Sequence, residues 1–162
     1  VRVEPPQSPA AFVGDFNGDG SEDLAVVVRA DPAKLADVNS ELANWTPVEP
    51  QKVTLPDANA ATQKLAPPPP RPQVAANEQL LAVVHGYQQE GWRNPAAQQT
   101  FLLKNSVGRA LHVEDKQSAL AEFKSQLPHL RTDVLREELD GSPGFLWWTG
   151  AKYAWFAAKG ER

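Results

Sequence analysis

The chain has 162 residues, a formal net charge of −4, three histidines and neither cysteine nor methionine. That length is one domain, and a 41% hydrophobic content is enough for one core. The composition excludes a disulfide framework and a thiolate metal site. It also argues against a general binder of phosphate backbones, and no apolar run reaches the roughly 18 residues of a membrane span.

Residues 1–9 carry Pro5, Pro6 and Pro9 and read as an extended tail before a single domain over 10–162. Residues 11–14 form a short apolar strand, and 23–29, DLAVVVR, form a β-branched buried strand. Asp31-Pro32 starts a helix, with Asp as cap and Pro at the first position. Leu35, Val38, Leu42 and Trp45 recur at helical spacing, so the helix is expected to run to about Trp45. A Pro-rich insertion then covers about 46–77, with a short strand predicted at 52–55. Its run APPPPRPQ is an extended, stiff connector.

Strands follow at 79–86, 100–104 and 108–113. Leu120, Phe123 and Leu127 share the face of a helix over 117–127, which Pro128 stops. Residues 133–139 read as a strand because the turn cluster Asp140-Gly141-Ser142-Pro143-Gly144 follows it. Aromatic strands at 145–148 and 153–157 complete a three-stranded meander. The order predicts an α+β domain: a mainly antiparallel curved sheet of six to eight strands with two helices, and an acidic loop between the first two strands.

That loop, DFNGDGSED, carries side-chain oxygens at Asp15, Asn17, Asp19 and Asp23, its first, third, fifth and ninth places. Gly20 is sixth and permits the bend that turns in the seventh-place carbonyl of Ser21. Calcium takes six to eight such oxygens at about 2.3–2.6 Å. The twelfth place, a glutamate in helical calcium hands, is Val26 inside a strand, so the loop is not a helix–loop–helix site. Calcium is the expected occupant; a solvated acidic turn and magnesium are the other readings.

Residues 13–28, VGDFNGDGSEDLAVVV, resemble the FG-GAP/VCBS type of repeat, in which G-D-F-N-G-D-G and a following aspartate sit between apolar strands. The resemblance implies Asp15, Asn17, Asp19, the Ser21 carbonyl and Asp23 as calcium ligands. It covers a tenth of the chain, and a single copy occurs where propellers need several. The ending GFLWWTGAKYAWFAAKGE is similar to that of small secreted bacterial proteins carrying one such loop. The start at Val1 without methionine reads as a mature or trimmed chain, secreted or periplasmic, and is compatible with a lipid anchor before trimming.

Catalytic patterns are sparse. His85, His112 and His129 have no metal-ligand spacing, and His85 reads as a strand-edge residue. The serine of DGSPG is not in a nucleophile-elbow frame. Glu137 and Glu138 fall on opposite sides of a strand. Trp147, Trp148, Tyr153 and Trp155, near Lys152, Lys159 and Arg162, offer either core packing or a ring platform for a glycan or protein. The expected function is a calcium-stabilised interaction module of the cell envelope without catalytic activity and without a nucleic-acid partner. A calcium-dependent carbohydrate-binding or hydrolytic domain and an inhibitor of an envelope enzyme are the alternatives.

Overall fold

A computed structural model describes residues 2–3, 11–55, 67 and 69–158. The strands are β1 (Arg2–Val3), β2 (Ala11–Gly14), β3 (Asp23–Arg29), β4 (Trp45–Val48), β5 (Gln79–Val84), β6 (Thr100–Lys104), β7 (Arg109–Glu114), β8 (Val134–Leu139), β9 (Ser142–Trp148) and β10 (Tyr153–Ala157). The helices are α1 (Leu35–Val38) and α2 (Lys116–Phe123). The class is α+β and mostly antiparallel, with the strands divided between two sheets.

The larger sheet runs β1-β3-β5-β6-β4, with β2 also on β3. β2 pairs with the first half of β3 and β1 with its last two residues, so both lie along one edge. The smaller sheet is β10-β9-β8-β7.

Alternation along the strands builds three apolar layers. Leu81 and Val83 of β5, Phe101 and Leu103 of β6, Leu135 of β8, Leu146 of β9 and Tyr153 of β10 meet in a core between the sheets. Leu80, Ala82 and Leu102 point the other way, beneath Val38 of α1 and Val74. Val134 and Phe145 form the outer layer of the small sheet with Ala119 and Phe123 of α2. The β3 run DLAVVVR is apolar on both sides because both of its faces are covered.

Two expectations are corrected. The helix from Asp31 is short: Asp31 does accept the Ala33 N–H, but a 3-10 turn over Pro32–Lys34 leads into α1, which ends at Val38. Asn39 ends it by exchanging two hydrogen bonds with the Val74 backbone, and the Ser40 hydroxyl takes the Leu42 amide. Leu42 is 95% exposed, and Trp45 opens β4, which runs parallel to β6. The strand expected at 52–55 is absent; a 3-10 turn spans Pro50–Lys52.

The stretch expected as a Pro-rich insertion joins the fold at both ends. Pro47 and Pro50 are buried, and the Arg71 guanidinium donates to the Ser40 and Trp45 carbonyls. The remainder of that stretch, 56–66 and 68, lies outside the described residues, as does most of the expected tail. Among the described residues no helix is long and apolar enough to cross a membrane.

Candidate functional site

The acidic loop closes the β2–β3 hairpin, whose last pair is Gly14 with Asp23. Gly18 and Gly20 hold φ of +78° and +86°, a left-handed backbone that glycine adopts without strain. These bends let the loop's side chains cap its own amides. Asp15 Oδ1 accepts from Gly18 N–H at 2.8 Å and Oδ2 from Gly20 N–H at 3.1 Å. Asn17 Oδ1 accepts from Asp19 N–H at 3.0 Å, and Asp19 Oδ1 from Ser21 N–H at 2.7 Å. Asn17 Nδ2 donates to Asp19 Oδ2 at 3.0 Å. The result is two Asx turns, at Asn17 and Asp19, whose side chains are bonded to each other, with Asp15 capping the glycine amides of the same bend.

Asp23 is placed differently. It is 0% exposed, and its carboxylate fastens the loop to the body of the protein. Oδ2 accepts from Phe16 N–H at 2.7 Å and Asn17 N–H at 3.2 Å; Oδ1 accepts from Gly86 N–H at 2.7 Å. Burial pushes this carboxyl up to about 6, the charge of Asp19 adds to the rise, and the three amides oppose it.

The donor set is one that suits calcium. Each carboxylate oxygen has two acceptor directions, and those of Asp15 and Asp19 use one apiece on the loop. Asn17 and the Ser21 carbonyl add neutral oxygens of the kind calcium accepts. Among the described residues, no three His, Cys, Asp or Glu side chains are grouped as a metal-holding cluster.

The neighbourhood is tied to this loop by bonds that cross long stretches of sequence. Asp133 accepts from Asp15 N–H through Oδ2 and from Lys116 N–H through Oδ1, both at 2.9 Å. The Glu22 carbonyl accepts from Trp92 N–H at 2.8 Å. Its carboxylate takes Trp92 Nε1–H at 3.2 Å and Arg93 Nη1–H at 2.7 Å. Arg93 also lies 4.4 Å over the Trp92 ring. Gly86 is required for this strapping: a Cβ there would overlap the Glu22 carbonyl oxygen and sit 2.8 Å from Gly91 Cα.

Behind the loop lies a buried polar pair that the sequence reading missed. His85 is not at an edge but inside, with Nδ1 3.0 Å from Gln99 Oε1 and Nε2 2.7 Å from the Tyr153 hydroxyl. Gln99 Oε1 can only accept, so Nδ1 carries the proton and Nε2 accepts from the Tyr153 O–H. Burial holds the imidazole below its ordinary pKa. Burial, together with the charges of Asp23, Asp15 and Asp19, pushes the Tyr153 phenol well up. Phe101 and Trp148 pack around the pair, 5.1 and 4.8 Å from the imidazole centroid. The signal was available: Leu81, Val83 and His85 share one strand face by alternation.

The four aromatic residues named from sequence do not share one open face. Tyr153 is 1% exposed. Trp148 and Trp155 are half-buried against the core between the sheets, and Trp147 against the α2 side. The large aromatic on the surface is Tyr87, 48% exposed, next to the loop that carries Trp92. His112 and His129 are exposed, and Lys152 stands on the turn before β10. Lys159 and Arg162 lie outside the described residues.

No protein-family model, no curated protein and no solved structure matches the chain.

Proposed function

We propose that the chain is a calcium-stabilised interaction module, secreted or periplasmic, that works by binding rather than catalysis. Asp15, Asn17 and Asp19 would hold the ion through side-chain oxygens and Ser21 through its carbonyl, with Asp23 completing the set from the place where it fastens the loop. The ion would supply positive charge among Asp15, Asp19, Glu22 and Asp23. This rests on the similarity of residues 13–28 to the FG-GAP/VCBS pattern.

The observation that carries the interaction role is the bracing of 86–95 by Glu22 and Asp23. Three bonds from Glu22 and one from Asp23 reach Gly86, Trp92 and Arg93. Ordering the acidic loop therefore also orders a surface bearing Tyr87, Trp92 and Arg93. An exposed ring, Tyr87, and a half-buried one, Trp92, beside polar groups suit a glycan or a protein partner at the cell envelope.

The test is a thermal melt in chelator and in calcium, on the parent chain and on Asp15→Ala and Asp19→Ala. Binding only the folded form stabilises by about 2.7 kcal/mol at a hundredfold excess over Kd. The parent should gain stability in calcium and both variants should lose most of that gain. A calcium-insensitive parent sinks the ion. Glycan-array and pull-down binding that does not weaken in Trp92→Ala sinks the surface.

A further inference from the structure

Glu137 is a charge-bearing residue at a core position. Alternation along β8 sends it the same way as Leu135 and Leu139, and it is 3% exposed. Oε2 accepts from Gly108 N–H at 2.6 Å, while Oε1 is buried with no hydrogen-bond partner among the described residues. An ionised carboxylate with an unsolvated oxygen is costly in such a place, and the neutral acid is far less so.

The segment it holds is strained. Asn105 and Ala110 adopt φ of +52° and +56° without being glycine. The β7–β8 register shifts between Arg109 and His112. Gly108 lies so close to β8 that a Cβ would overlap the Glu138 carbonyl oxygen. A cavity of about 400 Å³ opens beside this contact, lined by Asn105, Val107, Gly108, Leu139 and Asp140 among others.

We propose that Glu137 is a proton-operated latch: protonated, it keeps residues 105–111 seated on the small sheet, and ionised, it releases them towards the adjoining cavity. This inference is independent of the calcium reading. Burial raises the carboxyl to about 7, and only the Gly108 amide opposes the rise.

Among the described residues the surrounding charges do not supply a counter-ion. Arg136 and Glu138 alternate to the other face of β8, where Arg136 is paired with Glu114 of β7 and Glu122 of α2. Arg109 and His112 of β7 are exposed, and β9 carries no titratable side chain. Glu49 and Asp140 line the cavity and bring no positive charge to it. Lys52 is bonded to Glu49 and Lys104 to Glu78.

The sign follows from linkage. The open segment exposes a carboxyl of ordinary pKa, so opening becomes easier as pH rises from the usual carboxylate range through about 7. The opening constant should grow by about seventyfold between about pH 5 and pH 8. Hydrogen-exchange protection of amides 106–111, corrected for intrinsic rates, reads this directly. Protection in the parent should fall by that factor, and in Glu137→Gln, which keeps an acceptor for Gly108 N–H, it should stay flat. Flat protection in the parent, or the same fall in the variant, overturns the latch. Should the variant not fold, the carboxyl carbon resonance of Glu137 in the parent decides: a midpoint near 7 supports the latch, and one in the ordinary carboxylate range overturns it.

Discussion

Replacing Asp23 by alanine, measured in chelator so that no cation contributes, isolates the fastening of the acidic loop. The substitution strands the Phe16 and Gly86 amides, both now bonded at 2.7 Å, and weakens a third at Asn17. A buried donor left without a partner costs about 1–3 kcal/mol, so the two stranded amides give a gross loss of about 2–6 kcal/mol. Removing a buried charge returns part of this, because the carboxyl already sits up at about 6. The net expectation is a loss of about 2–4 kcal/mol, a large share of the roughly 5–15 kcal/mol available to a domain. Urea unfolding checks it: with a slope of about 1–3 kcal/mol per molar, the midpoint should drop by about 0.7 M or more. Asp23→Asn keeps one acceptor and should fall between. A midpoint for Asp23→Ala within about 0.3 M of the parent, at unchanged slope, would falsify the view that this carboxylate fastens the loop.

Tyr153→Phe removes the proton donor to His85 Nε2 and leaves that nitrogen buried and bare; thermal melts should show a loss of about 1–2 kcal/mol, and an unchanged melt would mean that the pair contributes nothing. Gly86→Ala forces a Cβ against two backbone neighbours that cannot rotate away, Glu22 O and Gly91 Cα. Its cost should reach about 3 kcal/mol or more in denaturant, and a loss under about 1 kcal/mol would show that the two loops are free to separate. Leu42→Ser, at a residue 95% exposed, should stay within about 0.5 kcal/mol of the parent; a core-sized loss would restore the longer helix read from its spacing.

The strands that were legible from sequence are those with strong local chemistry. β3 is fixed by DLAVVVR, β6 by TFLLK, and β10 by alternating aromatics after a glycine turn; their expected bounds agree with the structure. The α1 misreading shows the limit of periodicity. Leu35, Val38, Leu42 and Trp45 have the right spacing, yet Asn39 finds Val74 35 residues away and ends the helix. The parallel pairing of β4 with β6 was equally out of reach, since its partners come from residues 100–103.

The candidate site divides in the same way. Asp15, Asn17 and Asp19 act within one tight bend, so spacing alone brings them together. Asp23 was recognised as an oxygen donor, but its inward turn depends on Gly86, 63 positions later. The contribution of Asp133 spans 118 positions and leaves no local trace. His85 and Glu137 could have been found: each interrupts an alternating apolar face, and a polar group at such a position has to be satisfied or neutral.

The Asp15–Asp133 link sets the order in which the molecule can be finished during its synthesis. Chains are made from the amino end, and the bend at 15–23 emerges early, but it lacks one anchor until Gly86 has been made and another until Asp133 follows. A ribosome stalled after β6 would carry the whole acidic sequence and only part of what shapes it. Completion of the β2–β3 hairpin therefore waits for Asp133, 118 residues after Asp15.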